Sequence, residues 1–347
     1  MLYIGPGHGT SLHRLQAFRR LGHSVTHVDP RAFLPEGRWT DRWLWHAGGW
    51  GLDGVLARGL AAACGDGHDV AWVNQGEYLG PQCLAVLRRA ARRVVDYIND
   101  DPFSIRDRRR FQALRRALPL YDHCFLPRAC SIADALRIGA AAASRFTFTA
   151  DELAHRPLPA DDPRLAAWRG HLVFAGTWFP ERGPFLCRLL DLGVPLRVVG
   201  GRWQKAPEWP RLAACTLPDP LHGDDYTACL QGAAAALCLL SAANRDQHTS
   251  RSSEIPAVGG LLLAPRTDDH MAMFADGREA LLFDSPEECA ARFRDVLADP
   301  VRRAALAAAG RQRIIADGRM NERELSRLLR LALQQDHGQV GADGTRQ

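Results

Sequence analysis

Short apolar segments alternate along this chain with segments of helical periodicity, and this alternation constrains the fold more than any other feature of the sequence. Apolar strands separated by amphipathic helices are typical of a parallel sheet with helices on both faces. In the first half, strands are predicted at residues 2–4, 25–28, 70–74, 94–98, 123–126 and 146–148. Helices are predicted between them at residues 11–21, 81–93 and 106–117.

The alternation is interrupted once, by a segment rich in proline and aspartate at residues 151–170, which has the composition of a linker. Strands are then predicted at residues 172–175, 196–199, 235–240, 260–264 and 280–283, and helices at residues 183–192, 224–232, 286–298, 301–316 and 321–333. With 347 residues the chain is long enough for two domains with separate cores. We expect an N-terminal domain over residues 1–165, a C-terminal domain over residues 166–335 and a flexible tail over residues 336–347.

Composition and charge exclude several classes of protein. Apolar residues make up 46% of the chain and charged residues 24%, which is ordinary for a globular protein and unlike a disordered or fibrous one. No apolar run is long enough to span a membrane, and no secretory signal precedes the first strand. The nine cysteines are scattered, so we expect reduced thiols, a cytoplasmic location and no metal site. A net charge of only +5 predicts no nucleic-acid partner.

A glycine-rich loop at residues 5–11 (GPGHGTS) joins the first predicted strand to the first helix. Glycines permit a sharp turn, and the free N–H groups of the following helix can bind an anion or a sugar hydroxyl. Asp29 follows the next strand, where dinucleotide enzymes place an acid that binds ribose. Thr10, however, occupies the position of the last glycine of that fingerprint. A nicotinamide-dependent oxidoreductase and a tight turn without any ligand therefore both remain open.

The densest polar segment lies between two apolar strands of the second half, at residues 244–260 (NRDQHTSRSSEIPAVGG). Hydroxyl side chains just before Arg251 can cap a helix whose free N–H groups would face a phosphate, and Arg251 adds a fork-shaped donor for the same anion. Asp246 and Glu254 are eight residues apart and can accept hydrogen bonds from sugar and ribose hydroxyls. The alternative is a capped surface helix whose charges are solvated.

This segment resembles the spore-maturation-type, CgeB-like glycosyltransferases, and the resemblance covers most of the chain. The segments that carry it, besides residues 244–268, are residues 173–182 (VFAGTWFPER), 200–205 (GGRWQK), 279–288 (EALLFDSPEE), 99–102 (NDDP) and 121–122 (YD). The resemblance implies an α/β chain of GT-B architecture, in which two Rossmann-like, doubly wound parallel-sheet domains face each other across a cleft. It also implies a relation to the retaining group 1 glycosyltransferases.

The resemblance further implies which residues bind the donor. Glu254 corresponds to a glutamate that binds the donor ribose, and Asp246 to an acidic position near the donor sugar. Thr177 stands where related enzymes have a diphosphate-binding arginine; we expect Arg182 to supply that charge and Arg251 to compensate. The complete donor-side prediction is Gly176, Thr177, Arg182, Gly200, Gly201, Arg202, Lys205, His248, Thr249, Ser250, Arg251 and Glu254.

The acceptor is expected against the first domain. Asp100 and Asp101 follow an apolar strand and are candidates to orient or deprotonate the acceptor hydroxyl, although either could instead cap a helix that begins near Ser104. Asp246 is a third candidate for a catalytic role, and His8 in the glycine-rich loop is a fourth. Further acceptor-side candidates are Gly7, Asn74, Glu77 and Asn99.

The predicted activity is transfer of a sugar from a nucleotide-diphosphate sugar to a glycan or another hydroxyl acceptor. Arginines and a helix N-terminus can stabilise the leaving diphosphate, so we expect transfer that needs no metal and no cofactor beyond the nucleotide sugar. The resemblance implies retention of anomeric configuration. The alternatives are the oxidoreductase, a non-catalytic GT-B protein that binds glycan or nucleic acid, and a GT-B epimerase of nucleotide sugars.

Two surface features bear on the acceptor. Trp39, Trp43, Trp45 and Trp50 cluster in the first half, and indole rings stack on sugars and favour membrane interfaces. Many arginines between residues 88 and 116 form a basic surface that could meet anionic lipid headgroups. A lipid-linked acceptor and peripheral contact with the inner membrane face are therefore hypotheses, against the alternatives of core aromatics and a solvated charged face.

Overall fold

The computed structural model describes residues 1–107 and 109–334, which divide into two compact units. The first unit comprises residues 1–147 together with the helix that begins at Asn321, and the second comprises residues 148–320. The predicted tail, and Arg108 of the predicted basic surface, lie outside the described residues.

The first unit contains a six-stranded parallel sheet in the order β2-β1-β3-β4-β5-β6. Its strands are β1 (Leu2–Ile4), β2 (Thr26–Val28), β3 (His68–Asn74), β4 (Ala91–Tyr97), β5 (His123–Leu126) and β6 (Ala143–Arg145). Its helices are α1 (Gly9–Arg20), α2 (Arg38–Ala47), α3 (Asp53–Ala63), α4 (Pro81–Ala90), α5 (Gln112–Ala117) and α6 (Ala129–Arg137). The strand order reverses between β1 and β3, which is the position where ligands bind in open α/β sheets.

The second unit contains a six-stranded parallel sheet in the order β12-β11-β10-β7-β8-β9. Its strands are β7 (Leu172–Ala175), β8 (Leu196–Val199), β9 (Thr216–Leu217), β10 (Ala235–Leu237), β11 (Leu262–Pro265) and β12 (Leu281–Phe283). Its helices are α7 (Arg182–Asp191), α8 (Trp209–Leu212), α9 (Gly223–Gly232), α10 (Ser250–Ala257), α11 (Asp268–Met273), α12 (Pro286–Ala298) and α13 (Pro300–Ala316). This is the dinucleotide-binding strand order, and its switch point lies between β7 and β10.

Both sheets are buried on their two faces, as their apolar strands predict. In the first unit, Trp72 at the centre of β3 stacks against Tyr97 and Phe125 on the next two strands, with ring centroids 5.9 and 5.7 Å apart. In the second unit, one face packs against α7 and α12 and the other against α9 and α10. Seven of the nine cysteines are buried within these cores, and all nine are free thiols.

The boundary between the units differs from the predicted one at residue 165. Phe148, Ala150, Leu158 and Leu165 are buried, and the last three belong to the core of the second unit, so the proline-rich segment is part of that domain rather than a linker. A last helix, α14 (Asn321–Gln334), packs on α1 and returns the chain to the first unit.

Three predicted elements of the first unit also differ. The helix predicted at residues 106–117 begins only at Gln112. The last strand is Ala143–Arg145 rather than residues 146–148. The helix predicted at residues 81–93 ends at Ala90, and β4 begins at the next residue.

Candidate active site

The carboxyl ends of β7, β8 and β10 form the switch point of the second sheet. Ala175 pairs with Val199 and Phe174 with Leu237, so the residues that follow these strands come together. Gly200 has a φ of 135° and approaches so closely that a Cβ there would lie 2.5 Å from the Gly176 carbonyl oxygen. Only glycine fits this position, because any Cβ would clash with that carbonyl.

Two small cavities open at this edge, and both are lined by Ala175, Gly176, Thr177 and Arg251. One has a volume of about 200 Å³, and its other lining residues are Phe174, Phe179, Arg182, Leu239 and Thr249. The second has a volume of about 180 Å³ and is otherwise lined by Val199, Gly200, Gly201, Pro220, Leu221 and Tyr226. Together they bring seven predicted donor-side residues to one place: Gly176, Thr177, Arg182, Gly200, Gly201, Thr249 and Arg251.

Arg182 is a buried cation in this site. It is 8% exposed, and its guanidinium donates to the backbone carbonyls of Thr177 at 2.8 Å and Leu239 at 3.0 Å. Its Nε is buried without a hydrogen-bond acceptor among the described residues. Burial and the nearby Arg251 cation lower the pKa of Arg182 to about 10. Two cations held so close together favour the binding of an anion between them.

Arg251 lies in the first turn of α10. Its Nε donates to the Ala175 carbonyl at 3.1 Å, and its guanidinium lies 6.0 Å from the centre of the Tyr226 ring. As predicted, Thr249 caps this helix: its side chain accepts from the backbone N–H of Ser252, whose hydroxyl accepts from Thr249 N in return. Ser250 is the first residue of α10. The N-terminal end of a helix and an arginine therefore meet at the same cavity wall.

Glu254 lies one turn further along α10 and is 3% exposed. Its Oε2 accepts a hydrogen bond from the Tyr226 hydroxyl at 2.6 Å and lies 3.9 Å from Arg251 Nε, while its Oε1 lies 3.8 Å from His155 Nε2. Tyr226 and Arg251 line the cavity. Glu254 does not line it but contacts both of these side chains. The role predicted for Glu254, direct contact with ribose, therefore requires the Tyr226 side chain to move or to share the contact.

Asp246 lies on the loop between β10 and α10. Its Oδ2 accepts a hydrogen bond from the backbone N–H of Ser241 at 3.2 Å, and its carboxylate is close enough to Arg182 to raise the pKa of that cation. The side chain is half-buried. An acid near the buried arginine agrees with a position beside the donor sugar, which stays a prediction.

Three predicted donor-side residues occupy other surroundings. Both ring nitrogens of the buried His248 are engaged: Nδ1 lies 2.7 Å from an oxygen of Asp269, and Nε2 accepts from the backbone N–H of Phe148 at 3.2 Å. The imidazole therefore holds Phe148, the first residue of the second unit, in place and does not face a ligand. Arg202 and Lys205 are exposed. The residue between them, Trp203, instead points inward and donates to the Gly176 carbonyl at 2.9 Å.

The first unit has its own cavity of about 300 Å³ at the switch point between β1 and β3. The predicted residues that line it are His8, Asn74, Glu77 and Asn99. Gly7 is exposed in the glycine-rich turn. Most acceptor-side candidates are thus brought together, and cavities of this size lie at the lower end of small-molecule sites, about 300–1,000 Å³.

The two candidate acids near this cavity differ in surroundings. Asp101 is fully buried, and its Oδ1 accepts from Phe103 N at 3.1 Å and from the Ser131 hydroxyl at 3.2 Å. It holds a turn, so its predicted catalytic role is not supported, and the described residues 101–107 begin no helix that it could cap. Asp100 is about one-third exposed and lies 3.2 Å from Arg110. It remains a candidate to contact the acceptor.

The sequence offered no specific signal for several residues of these sites. Tyr226, Pro220 and Leu221 line the second unit's site but lie in an unremarkable stretch of sequence. Arg14, which lines the first unit's cavity, also lacked a signal. Gln75 follows β3, as the acceptor-side candidates Asn74 and Glu77 do, and lines the same cavity with a φ of 63°, which is uncommon for a residue other than glycine.

Within the described part of the chain, no three histidine, cysteine, aspartate or glutamate side chains gather in a way that would hold a metal ion. Among the helices of residues 1–107 and 109–334, none combines the length and apolar character needed to cross a bilayer.

The sequence was compared with protein families, and one family matches the part of the chain that carries this site. Residues 182–329 match the glycosyl transferase-like family, and they include α7, α9 and α10 of the candidate donor site. The narrower CgeB-like resemblance is a finer division that stays a prediction. A search of curated proteins by sequence found no match.

Three similar structures span nearly all of the chain. Anabaena Alr3699/HepE in complex with UDP-glucose is 15% identical with a TM-score of 0.67, and the alignment covers 94% of this chain and 98% of that one. Trehalose-6-phosphate synthase, in a study of glycosyl transfer with retention, is 12% identical with a TM-score of 0.64 over 95% and 98%. Sucrose-phosphate synthase from Thermosynechococcus elongatus is 13% identical with a TM-score of 0.63 over 95% and 98%.

At these identities the structural similarities establish the fold, which confirms the predicted GT-B architecture. The family match at residues 182–329 includes the two arginines and the capped helix. The oxidoreductase and non-catalytic alternatives are not favoured by either comparison. The chain is a glycosyltransferase with the GT-B fold.

Proposed function

We propose that the protein transfers a glycosyl group from a UDP-sugar to a hydroxyl group of a glycan or lipid-linked acceptor, with retention of configuration and without a metal ion. The observation that carries this proposal is that Arg182 and Arg251 line one cavity beside the N-terminal end of α10. A diphosphate bound there would be stabilised by both cations. The other observations concern the base, the sugar and the acceptor.

The leaving diphosphate is the group that the donor site must stabilise. As the anomeric bond breaks, negative charge accumulates on the phosphate oxygens. Arg182 is fixed by two backbone carbonyls and Arg251 by one, so their cations are in place before the reaction and cost little reorganisation. Fixed cations and helix N–H groups can stabilise the charge on a leaving diphosphate, as a divalent cation does in other enzymes. This supports metal-independent transfer.

The nucleoside is assigned to the cavity beside Gly200 and Gly201. Pro220 and Leu221 offer apolar surface for a base, and Tyr226 offers a phenol hydroxyl fixed by Glu254. Uracil is proposed because HepE, whose fold this chain shares, has been solved with UDP-glucose. Retention is proposed because trehalose-6-phosphate synthase, of the same fold, transfers with retention.

Asp246 is proposed to orient a hydroxyl of the donor sugar. Its carboxylate lies within electrostatic reach of Arg182, so a sugar attached to the diphosphate would come close to it. An orienting acid matters more for the reacting geometry than for nucleotide affinity. Asp246→Asn is expected to lower kcat by tenfold or more and to leave the Kd for UDP within about twofold.

A membrane-associated acceptor is the finer part of the proposal. Trp39, Trp43 and Trp50 are 70%, 45% and 60% exposed, which supports contact with a lipid surface rather than the core role considered from the sequence. Much of the basic surface is paired, for example Arg110 with Glu77 and Arg106 with Asp107. Trp39→Ala with Trp43→Ala is expected to reduce sedimentation with anionic vesicles; equal sedimentation would remove the membrane contact.

The experiment that tests the proposal is a transfer assay with the full chain, UDP-sugars and a panel of sugar acceptors in excess EDTA. We expect UDP release that depends on the acceptor, and a product whose anomeric configuration by NMR equals that of the donor. Activity that appears only after a divalent cation is restored would overturn metal independence. Stabilisation by NAD or NADP but by no nucleoside diphosphate would overturn the donor assignment.

A further inference from the structure

The cavity of the first unit contains a buried cation that the proposed transfer does not use. Arg14 projects from α1 and is 5% exposed, and it lines the cavity with residues that follow β1 and β3. Its Nε donates to Asn74 Oδ1 at 2.7 Å, and its Nη2 donates to the Thr10 hydroxyl at 3.2 Å. Both acceptors are neutral, so these bonds orient the guanidinium without balancing its charge.

The aromatic neighbours of Arg14 do not balance the charge either. Its guanidinium lies 4.6 Å from the centre of the Tyr97 ring. Burial raises the pKa of Tyr97 and of Tyr3, so both phenols stay neutral at physiological pH. Arg14 is therefore buried with no carboxylate bonded to it among the described residues. Burying a charge in this way is costly, and such a position is normally completed by an anion.

The acid that lines this cavity is already neutralised. Both oxygens of Glu77 accept from Arg110, at 2.7 and 2.6 Å. Among the described lining residues, Glu77 is the one carboxylate, so the charge of Arg14 stays unbalanced within the cavity wall.

Two further groups offer hydrogen bonds to the same space. Gln75 lines the cavity, and its Oε1 accepts from the backbone N–H of Asn99 at 2.7 Å, while its Nε2 is buried without an acceptor among the described residues. His8 at the N-cap of α1 makes no side-chain capping bond, and the first three residues of that helix line the cavity. The N–H groups of this first turn are therefore available to a ligand.

We propose that this cavity binds an anionic group of the acceptor, a phosphate or a carboxylate, through the Arg14 guanidinium, the Gln75 amide and the N-terminal end of α1. That the bound ligand is the acceptor rests on the proposed function. That the cavity binds an anion rests only on the residues that line it. It narrows the acceptor to a sugar phosphate or a uronic acid and excludes a neutral sugar alone.

The test is calorimetric titration of the full chain, with and without saturating UDP, using glucose 6-phosphate, glucuronate and glucose as probes. We expect one of the two anionic sugars to bind at least tenfold more tightly than glucose, and the tighter one identifies the group as phosphate or carboxylate. Binding of glucose as tightly as both anionic sugars would overturn the inference.

Variants locate the site. Arg14→Gln is expected to weaken binding of the anionic probe by tenfold or more, because a charge-assisted hydrogen bond is lost. Gln75→Glu is nearly isosteric and keeps the acceptor for Asn99 N, so it tests the same site by repulsion even where Arg14→Gln fails to fold. Arg19→Gln, on an exposed position of the same helix, is the matched control and should bind as wild type.

The outcomes separate this inference from the proposed function. Unchanged anion affinity in both Arg14→Gln and Gln75→Glu, or no anion binding to the wild type, overturns the anion site. UDP titrated into the same samples reports on the donor site independently. UDP binding without anion binding removes only the present inference, whereas anion binding without UDP binding removes only the donor assignment.

Discussion

Arg182 and Arg251 each donate a hydrogen bond to the loop that follows β7. Arg182 Nη1 reaches the Thr177 carbonyl at 2.8 Å, and Arg251 Nε reaches the Ala175 carbonyl at 3.1 Å. The repulsion between the two cations contributes to the lowered pKa of Arg182. A bound diphosphate would offset that repulsion, so donor binding is expected to depend on this pair.

Arg202 and Lys205, which the sequence placed in the donor site, are exposed. Exposed cations far from a bound phosphate contribute little to affinity because water and salt screen them. Arg202→Gln and Lys205→Gln are each expected to keep the Kd for UDP within about twofold of wild type by calorimetry. A tenfold loss in either variant would return that residue to the donor site.

His248 is expected to affect stability rather than donor binding. Removing its ring leaves the Phe148 N–H without its acceptor and Asp269 without its partner. His248→Ala should lower the free energy of unfolding by about 1–3 kcal/mol and leave UDP affinity nearly unchanged. His222→Ala, at an exposed position, is the control. If UDP affinity falls and stability does not, the structural role is wrong.

Glu254 and Tyr226 should act together on donor binding. Tyr226→Phe removes the donor to Glu254 and leaves a buried carboxylate oxygen poorly satisfied, and Glu254→Ala removes the support of the phenol. Each change is expected to weaken UDP binding by tenfold or more. The fold-loss of UDP affinity in the double variant should be much smaller than the product of the two single fold-losses. Losses that multiply independently would show that the two side chains act separately.

The pH dependence of stability should report Asp96, a fully buried carboxyl that accepts from the Gly76 N–H. Burial raises its pKa to about 8, so the folded state holds a proton that the unfolded state releases above about 4. This group therefore lowers the free energy of unfolding as pH rises from about 4 to 8.

Asp96→Asn cannot ionise, so it should flatten the fall in Tm that the wild type shows between pH 5 and pH 8. The measurement is a thermal melt of both proteins at several pH values in one buffer series. Parallel curves for the two proteins would mean that Asp96 is ionised when folded.

Most strands were predictable because they are short apolar runs, and the helix cap at Thr249 because hydroxyl residues precede Arg251. The strands β6 and β9 are not apolar runs, so β6 was placed at the wrong residues and β9 was not predicted. The partners of His248 were not, since Asp269 and Phe148 are 21 and 100 residues away and only the folded chain joins them. Asp101 looked catalytic because it follows a strand, but its burial against Ser131 depends on packing that spacing does not encode.

The central claim is that the two arginines hold the donor diphosphate, and the most direct test is calorimetric titration of UDP in EDTA. The proteins are the wild type, Arg182→Gln, Arg251→Gln and the control Arg188→Gln, an exposed position on α7 paired only with Glu287 in the described chain. We predict that UDP binds the wild type and the control equally and each of the other variants at least tenfold more weakly. UDP binding that is equally tight in all four proteins would contradict the account.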